Sequence, residues 1–158
     1  MLPEIYKFVP ILSDQDLNAG ASMVGDSINM ATFHSVTFIC GLQTLGGADP
    51  VVTVYSGLTD AALTTALTFN YAYGGAATGS ADCDVLSAWS TSAALTIANA
   101  SKDNFMLLIQ VDAKAMGSGH KWLTIEFSDP SVGATGNVQV HAILRPRYTK
   151  NRSLSALV

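Results

Sequence analysis

Short runs of β-branched and aromatic residues recur along this chain, and clusters of Gly, Pro, Asp, Asn and Ser separate them. Within several runs apolar residues alternate with polar or small ones, which is the period-two pattern of a strand with one buried face. In Phe105–Val111, for example, Leu107, Ile109 and Val111 share one side. The spacing of the runs, with a turn about every 8 to 15 residues, is typical of an all-β sandwich or barrel.

The runs predict about eight strands. They cover Ile5–Leu12, Phe33–Cys40, Val51–Tyr55, Ala66–Ala72, Val85–Trp89, Leu95–Ala98, Phe105–Val111, Trp122–Phe127 and Val138–Leu144. The first run contains Pro10, so we predict an edge strand or an extended arm there, because proline cannot donate a ladder hydrogen bond. Gly-containing polar sequence predicts loops at Ser13–Gly25, Gly74–Ser80 and Ser128–Asn137, and a single helical turn is expected at Ala113–Met116.

At 158 residues the chain is in the size range of one domain. The strand count favours a two-sheet jelly roll, although an immunoglobulin-like sandwich shows a similar pattern. We therefore predict an all-β, jelly-roll-like two-sheet sandwich or barrel at residues 27–146. An N-terminal arm and loop are expected at residues 1–26, and a C-terminal basic tail at residues 147–158.

The chain carries little charge for its size. Charged residues make up 13% of it and apolar residues 49%, against about 25% charged residues in an average domain. Such a composition indicates either a membrane segment or a surface that is covered in an assembly. Purely apolar stretches reach only about five residues, far below the roughly 18 needed to span a bilayer. Charged residues such as Glu4 and Lys7 also interrupt any apolar core of a signal peptide. We expect no membrane contact and a surface covered by partner subunits.

Positive and negative charges are separated along the chain. Between Phe8 and Ser101 there is no Lys or Arg, whereas that stretch holds seven aspartates. The C-terminal end is basic, with Arg145, Arg147, Lys150 and Arg152 close together. This asymmetry indicates a docking surface or a tail for a complementary partner, and a solvated tail is the plain alternative. The net charge of −4 argues against a nucleic-acid partner.

Asp14, Asp16 and Asn18 are spaced like the first oxygen ligands of a calcium loop. An EF-hand loop needs Gly at its sixth place and Glu at its twelfth, and this chain has Ala19 and Gly25 there. We therefore prefer an Asx-rich turn at this segment, with calcium binding as the alternative.

Candidate catalytic groups lack partners in the sequence. The histidines His34, His120 and His141 have no metal-binding spacing. Asp82 and Asp84 lie two residues apart, as an acid and base pair might, but solvated charges beside a Gly-rich loop are the simpler interpretation. Nucleophile, phosphate-loop and dinucleotide motifs are absent from the sequence. We expect that the chain is not an enzyme and that it binds no metal or cofactor.

The two cysteines, Cys40 and Cys83, are too few for a disulfide framework. Both lie in apolar or strand-like sequence. We predict two buried free thiols, with a bridge between them as the alternative.

Six strand-like stretches carry a family resemblance. They are Asp26–Met30, Ser35–Ile39, Val51–Tyr55, Ala66–Phe69, Met106–Asp112 and Val140–Tyr148. In these stretches, and most distinctively in the closing Arg-Pro-Arg-Tyr, the chain resembles the capsid cement, or decoration, proteins of tailed bacteriophages. The resemblance implies a jelly-roll-like domain that self-associates as a dimer or trimer on the outer surface of the virion. There it would bind the major capsid protein across the joints between subunits and stabilise the shell.

Contacts with the capsid or with neighbouring subunits are expected at the two ends of the chain, because of the charge separation and the prolines there. The candidate residues are Tyr6, Phe8, Arg145, Arg147, Lys150 and Arg152. The alternative function is a carbohydrate-binding, lectin-like jelly roll, in which Trp89, Trp122 or Tyr73 stacks on a sugar.

Overall fold

The computed structural model describes residues 5–17, 22–76, 84–129, 133–148 and 156–157. These residues form twelve strands: β1 Lys7–Asp16, β2 Met23–Val24, β3 Ile28–Asn29, β4 Phe33–Gly47, β5 Val51–Gly57, β6 Thr65–Ala66, β7 Phe69–Ala76, β8 Ser90–Ser92, β9 Ala94–Thr96, β10 Phe105–Asp112, β11 Trp122–Ser128 and β12 Ala134–Pro146. Helical structure among these residues includes 3-10 turns at Met30–Thr32 and Ala113–Ala115 and one α-helical turn at Asn99–Lys102. Within these ranges no helix is long and apolar enough to cross a membrane.

The strands form two antiparallel sheets. The larger has the order β1-β12-β4-β10-β7-β8, and the smaller has the order β2-β11-β5-β6, with β3 also on β11 and β9 on β5. The short β2 and β3 pair with the same strand, so they act as one strand in two pieces. Likewise β6 pairs with β5 in the smaller sheet, and the chain then enters the larger sheet as β7. With β2 and β3 counted as one, the eight strands β1, β2/β3, β4, β5, β6, β10, β11 and β12 follow the order of a jelly roll, and β7, β8 and β9 are additional. The predicted all-β sandwich is confirmed.

Alternating side chains from the two sheets form one core. In β10, Leu107, Ile109 and Val111 are buried, as the period of two predicts. In β11, on the opposite sheet, Leu123, Ile125 and Phe127 are buried against them. Each fully buried side chain of this size contributes about 1.5–3 kcal/mol relative to exposure. The alternation of buried residues predicted for these two strands is therefore confirmed. The helical turn predicted near Ala113 is also confirmed.

The N-terminal segment belongs mostly to the sandwich. Rather than leaving it as an arm, β1 pairs with β12 from Lys7 to Asp16 and is the edge strand of the larger sheet. Val9, Ile11 and Leu12 are buried in the core, and this burial holds the segment in place. The edge-strand alternative was thus correct, and the predicted core boundary at residue 27 lies too late.

Other boundaries also differ from the sequence prediction. The strand predicted at Ala66–Ala72 is divided between β6 and β7 in different sheets, and β7 continues through Ala76 into the loop expected at Gly74–Ser80. Residues 85–89 are not a strand, because Val85, Leu86 and Trp89 are all exposed and β8 begins only at Ser90. The loop expected at Ser128–Asn137 is shorter, since β12 already begins at Ala134.

Gly136 lies at an irregularity in the pairing of β12 with β4, and its φ is +110°. A Cβ atom there would lie 2.6 Å from the carbonyl oxygen of Thr44. We expect Gly136→Ala to lower the free energy of unfolding by about 1–3 kcal/mol, through strain and this clash. Urea denaturation measures the change. Thr135→Ala, at the exposed neighbouring position, should stay within about 0.5 kcal/mol, and equal losses in the two variants would contradict the explanation.

Candidate interaction surfaces

The solvent side of the larger sheet, here called the outer face, is uncharged over its middle. Its central row crosses four strands, from Pro10 through His141 and Ile39 to Leu108, whereas the next position, Ala72 on β7, is buried. None of these residues is an aspartate, glutamate, lysine or arginine. Such a surface loses little hydration when a partner covers it.

The rows on either side mix apolar with uncharged polar residues. One row runs from Phe8 through Ile143 and Thr37 to Gln110, and the other runs from Gln139 through Gly41 to Met106. Phe8 is 61% exposed and Met106 is 39% exposed. Exposed hydrophobic side chains on an uncharged sheet face are typical of an interaction site.

Small residues leave two depressions in the outer face. One, of about 510 Å³, is lined by Ile39, Gly41, Met106 and His141 among others. Gly41 provides part of this space, since a Cβ atom there would lie 3.1 Å from Gln139.

The second depression, of about 540 Å³, lies at the β1 edge of this face, where Pro10, Gln139 and His141 of the larger sheet meet Val24 of β2 and the carboxylate of Asp26. Near it the Phe8 ring stacks on the His141 ring, with 5.3 Å between the centroids. This contact fixes the direction in which the exposed Phe8 ring projects.

Cations gather at one end of the outer face, here called the basic end. Arg145, Arg147 and Lys114 line a groove of about 460 Å³. The Nε of Arg147 donates to the carbonyl of Phe33 at 3.1 Å, which holds this side chain at the end of β4. Lys114 forms an ion pair with Asp112 at 3.5 Å, and because both side chains are at least half exposed, this pair adds little stability.

Carboxylates lie at the opposite end, here called the acidic end. Because β1 is antiparallel to β12, Asp14 and Asp16 lie far along the strands from Arg145. The Nδ2 of Asn137 donates to Oδ2 of Asp14 at 2.9 Å, and Asp16 is paired with Asn137 in the ladder. The predicted Asx-rich turn is wrong for Asp14 and Asp16, because irregularities in β1 let it remain paired through Asp16, whereas Asn18 lies outside the described residues.

The structure brings together only part of the predicted interface set. Phe8 and Arg145 lie on the outer face, and Arg147 lies at its basic end. Tyr6 is half-buried just before β1. Lys150 and Arg152 lie outside the described residues.

The contact residues predicted from the sequence did not include the second side of the central strands. Ile39, Met106, Leu108 and Ile143 lie there, opposite the side that fills the core. Strands that are apolar on both sides were the available signal. Such a strand lies either between two layers or beneath a partner. Only the tertiary structure shows that, within the described part of the chain, no second layer covers these four side chains.

A second exposed apolar surface, here called the apolar segment, is formed by residues 84–89. Val85, Leu86 and Trp89 are 59%, 41% and 50% exposed. The backbone of Ser87 donates to the carbonyl of Tyr73 at 2.7 Å, and the Ser87 hydroxyl accepts from the Tyr73 amide at 3.0 Å. These bonds hold the segment against β7, near the edge of the sheet opposite β1. Asp84 begins it, whereas Asp82 lies outside the described residues, so their pairing is not described.

The three aromatic residues proposed for sugar binding do not share a surface. Tyr73 packs against the core, and Nζ of Lys102 lies 4.7 Å from its ring centroid. Trp122 lies half-buried in the smaller sheet, and Trp89 lies in the apolar segment. Burial, with smaller effects of Tyr71 and Cys40, raises the pKa of Tyr73 to about 12. Its hydroxyl therefore stays neutral at ordinary pH.

The histidines are distributed over different parts of the structure. His141 lies on the outer face, His34 on β4 near the basic end, and His120 bonds through Nδ1 to the hydroxyl of Ser56 at 2.8 Å. Within the described residues, no three His, Cys, Asp or Glu side chains lie close enough together to hold a metal ion.

The C-terminus returns to the sandwich. Ala156 is buried, and its carbonyl accepts from the backbone N–H of Asn29 at 2.9 Å. Leu157 also packs against the core. Any removal of the residues after β12 therefore also removes core contacts, so the basic tail must be tested by substitution.

Comparison with known proteins gives a likeness in fold. No protein-family model matches the sequence, and no curated protein matches it significantly. The chain is similar to a solved structure, the SPBc2 prophage-derived protein YomS, with a TM-score of 0.50. The two are 15% identical, and the match covers 88% of this chain and 91% of that chain. At this identity the two proteins share a fold.

Cys40 is a free thiol on β4 and is fully buried, whereas Cys83 lies outside the described residues. Burial raises the pKa of the Cys40 thiol far above its ordinary value of 9.0. The folded state therefore favours the neutral thiol, and this part of the stability is present below pH 9 and lost as the pH rises above it.

A Cys83→Ser variant isolates Cys40 for a thiol-reactivity test. At pH 8 we expect its reaction with a disulfide reagent to be more than about 1,000-fold slower in the native protein than in denaturant, because attack requires an exposed thiolate. Absorbance of the released thiolate measures both rates. Rapid reaction of the native variant would show that Cys40 is accessible and contradict its burial.

Proposed function

We propose that this chain is a structural protein of a phage virion that binds the outer surface of the capsid and joins neighbouring major capsid subunits. Its fold, shared with a prophage-derived protein, supports a phage origin. The low content of charged residues, 13%, supports a surface that partner subunits cover.

The observation that carries the proposal is the presence of two exposed apolar surfaces on one rigid sandwich. The outer face spans β1, β12, β4 and β10, and the apolar segment lies beyond β7. A protein that joins subunits needs at least two contact surfaces, which the shell or another copy of the chain can occupy, whereas an enzyme or a simple ligand-binding domain needs one concave site. The larger sheet connects the two surfaces without a flexible linker.

Such contacts gain strength by repetition. A specific interface buries about 1,200–2,000 Å², and each Å² of apolar surface contributes about 25 cal/mol before the costs of association. Weak contacts that repeat over a shell are reinforced because one bound subunit raises the local concentration of the next contact. The predicted contacts of Tyr6, Phe8, Arg145, Arg147, Lys150 and Arg152 belong to this proposal.

The first test is composition. Mass spectrometry of purified virions should find this chain in a fixed ratio to the major capsid protein. If the chain is made during infection but is missing from purified virions, the proposal is overturned.

The second test concerns attachment. In shells stripped of this chain and then reloaded, we expect Leu86→Ser with Trp89→Ser to weaken binding at least about tenfold, because each apolar side chain contributes about 1.5–3 kcal/mol when buried. Co-sedimentation over a concentration series measures the change. Leu58→Ser removes a leucine that is 64% exposed in another loop, and it should leave binding unchanged. Equal binding by all variants would exclude the apolar segment as the contact.

A further inference from the structure

We propose that a second copy of this chain covers the outer face, in a two-fold dimer whose axis runs across the strands along the central row. This inference goes beyond attachment to a shell, because it concerns the purified chain alone. It rests on the charges at the two ends of the outer face, on the register of β1 with β12, and on the area available.

The charges select the direction of the second copy. The basic end has Arg145, Arg147 and Lys114 with one carboxylate, Asp112, and the acidic end has two exposed carboxylates, Asp14 and Asp16. A two-fold axis that runs across the strands reverses their direction, so it places the basic end of each copy over the acidic end of the other. An axis along the strands would instead place basic end over basic end, which like charges disfavour. A two-fold interface is self-complementary, as these two ends require.

The register of β12 makes this match specific. With His141 on the axis, residues four positions away on either side exchange places, so Arg145 of one copy lies over Asn137 of the second copy. Asn137 is the residue that pairs with Asp16 and donates to Asp14. Arg145 of one copy therefore lies next to the carboxylates of Asp14 and Asp16 of the second copy, and not only at the acidic end in general. Opposite charges at the rim fix the register, whereas the apolar centre supplies most of the affinity.

Phe8 is matched by the same operation. It is paired with Ile143, two residues from His141 on the basic side. Because the two-fold axis reverses the strands, Phe8 of one copy lies over β1 of the other copy, level with Gln139. The depression of about 540 Å³ lies there, lined by Pro10, Ser13 and Gln139 among others. An exposed ring thus faces a space of the right order to receive an aromatic side chain.

The area of the outer face is in the range that a dimer can use. Four strands of about eight residues, at roughly 3.4 Å per residue and 4.8 Å between strands, cover on the order of 500 Å² of the sheet plane. A standard interface buries roughly 800 Å² per partner, and the projecting side chains and the charged ends add to the planar area. Because the axis crosses the strands, β7 lies over β7 of the second copy. The two apolar segments then lie along one rim, where both are available to another partner.

Analytical ultracentrifugation of the purified chain tests the dimer. We expect a reversible dimer in the wild type and at least about 100-fold weaker association for Leu108→Glu, which places a carboxylate in the central row against its counterpart. Thr96→Glu, on an exposed position of the smaller sheet, should associate like the wild type. Circular dichroism and urea denaturation confirm that each variant is folded.

Charge exchange tests the direction and uses exposed residues only. Arg145→Glu should weaken association about tenfold, and Arg145→Glu combined with Asp14→Arg should restore it to within about threefold, because the pair is re-formed with reversed signs. This test also decides whether the proposed dimer forms if the Leu108→Glu variant does not fold. Failure of the double variant to restore association would overturn the proposed direction.

Three results would overturn the dimer itself. These are a monomer at all concentrations, a trimer, and dimerisation that Leu108→Glu leaves unchanged. A wild-type monomer whose Leu108→Glu variant loses binding to shells would show that the shell covers the outer face. That outcome would leave the proposed function standing while this inference fails.

Discussion

The antiparallel pairing of β4 with β12 is the constraint on which the rest of the structure depends. These are the two longest strands, and they lie side by side in the middle of the larger sheet. Since successive side chains point to opposite sides of a strand, the register that buries Phe38, Val140 and Ala142 also fixes which residues face outward. A slip of one residue would exchange the two sets. Core and candidate surface are therefore two results of one ladder.

This coupling explains how an apolar surface remains rigid while exposed. Ile39 and Leu108 cannot turn inward, because Cys40 and Leu107 next to them already fill the core. A flexible loop with the same composition would collapse onto the protein, whereas a ladder paired on both sides holds its side chains outward. The surface is thus prepared for a partner at little cost in conformational entropy.

The edges of the larger sheet limit how such a protein associates. β1 contains Pro10 and two irregularities, and these features discourage pairing with the edge of another sheet. The other edge is the short β8. Association through faces is then favoured over association through edges, which guards against uncontrolled growth of the sheet.

The sequence by itself determined the all-β class, most strand positions and the alternation in strands such as Phe105–Asp112, because these follow from local periodicity and burial. It also separated the basic C-terminal residues from the acidic remainder. It did not determine that β1 joins the sheet through Asp16 or that residues 85–89 leave it, since both depend on partners far away in the chain. Only the tertiary structure decided that the second sides of β4, β10 and β12 form one uncharged face with opposite charges at its ends. The physical reason is that strand register, which no local pattern contains, sets which distant residues become neighbours.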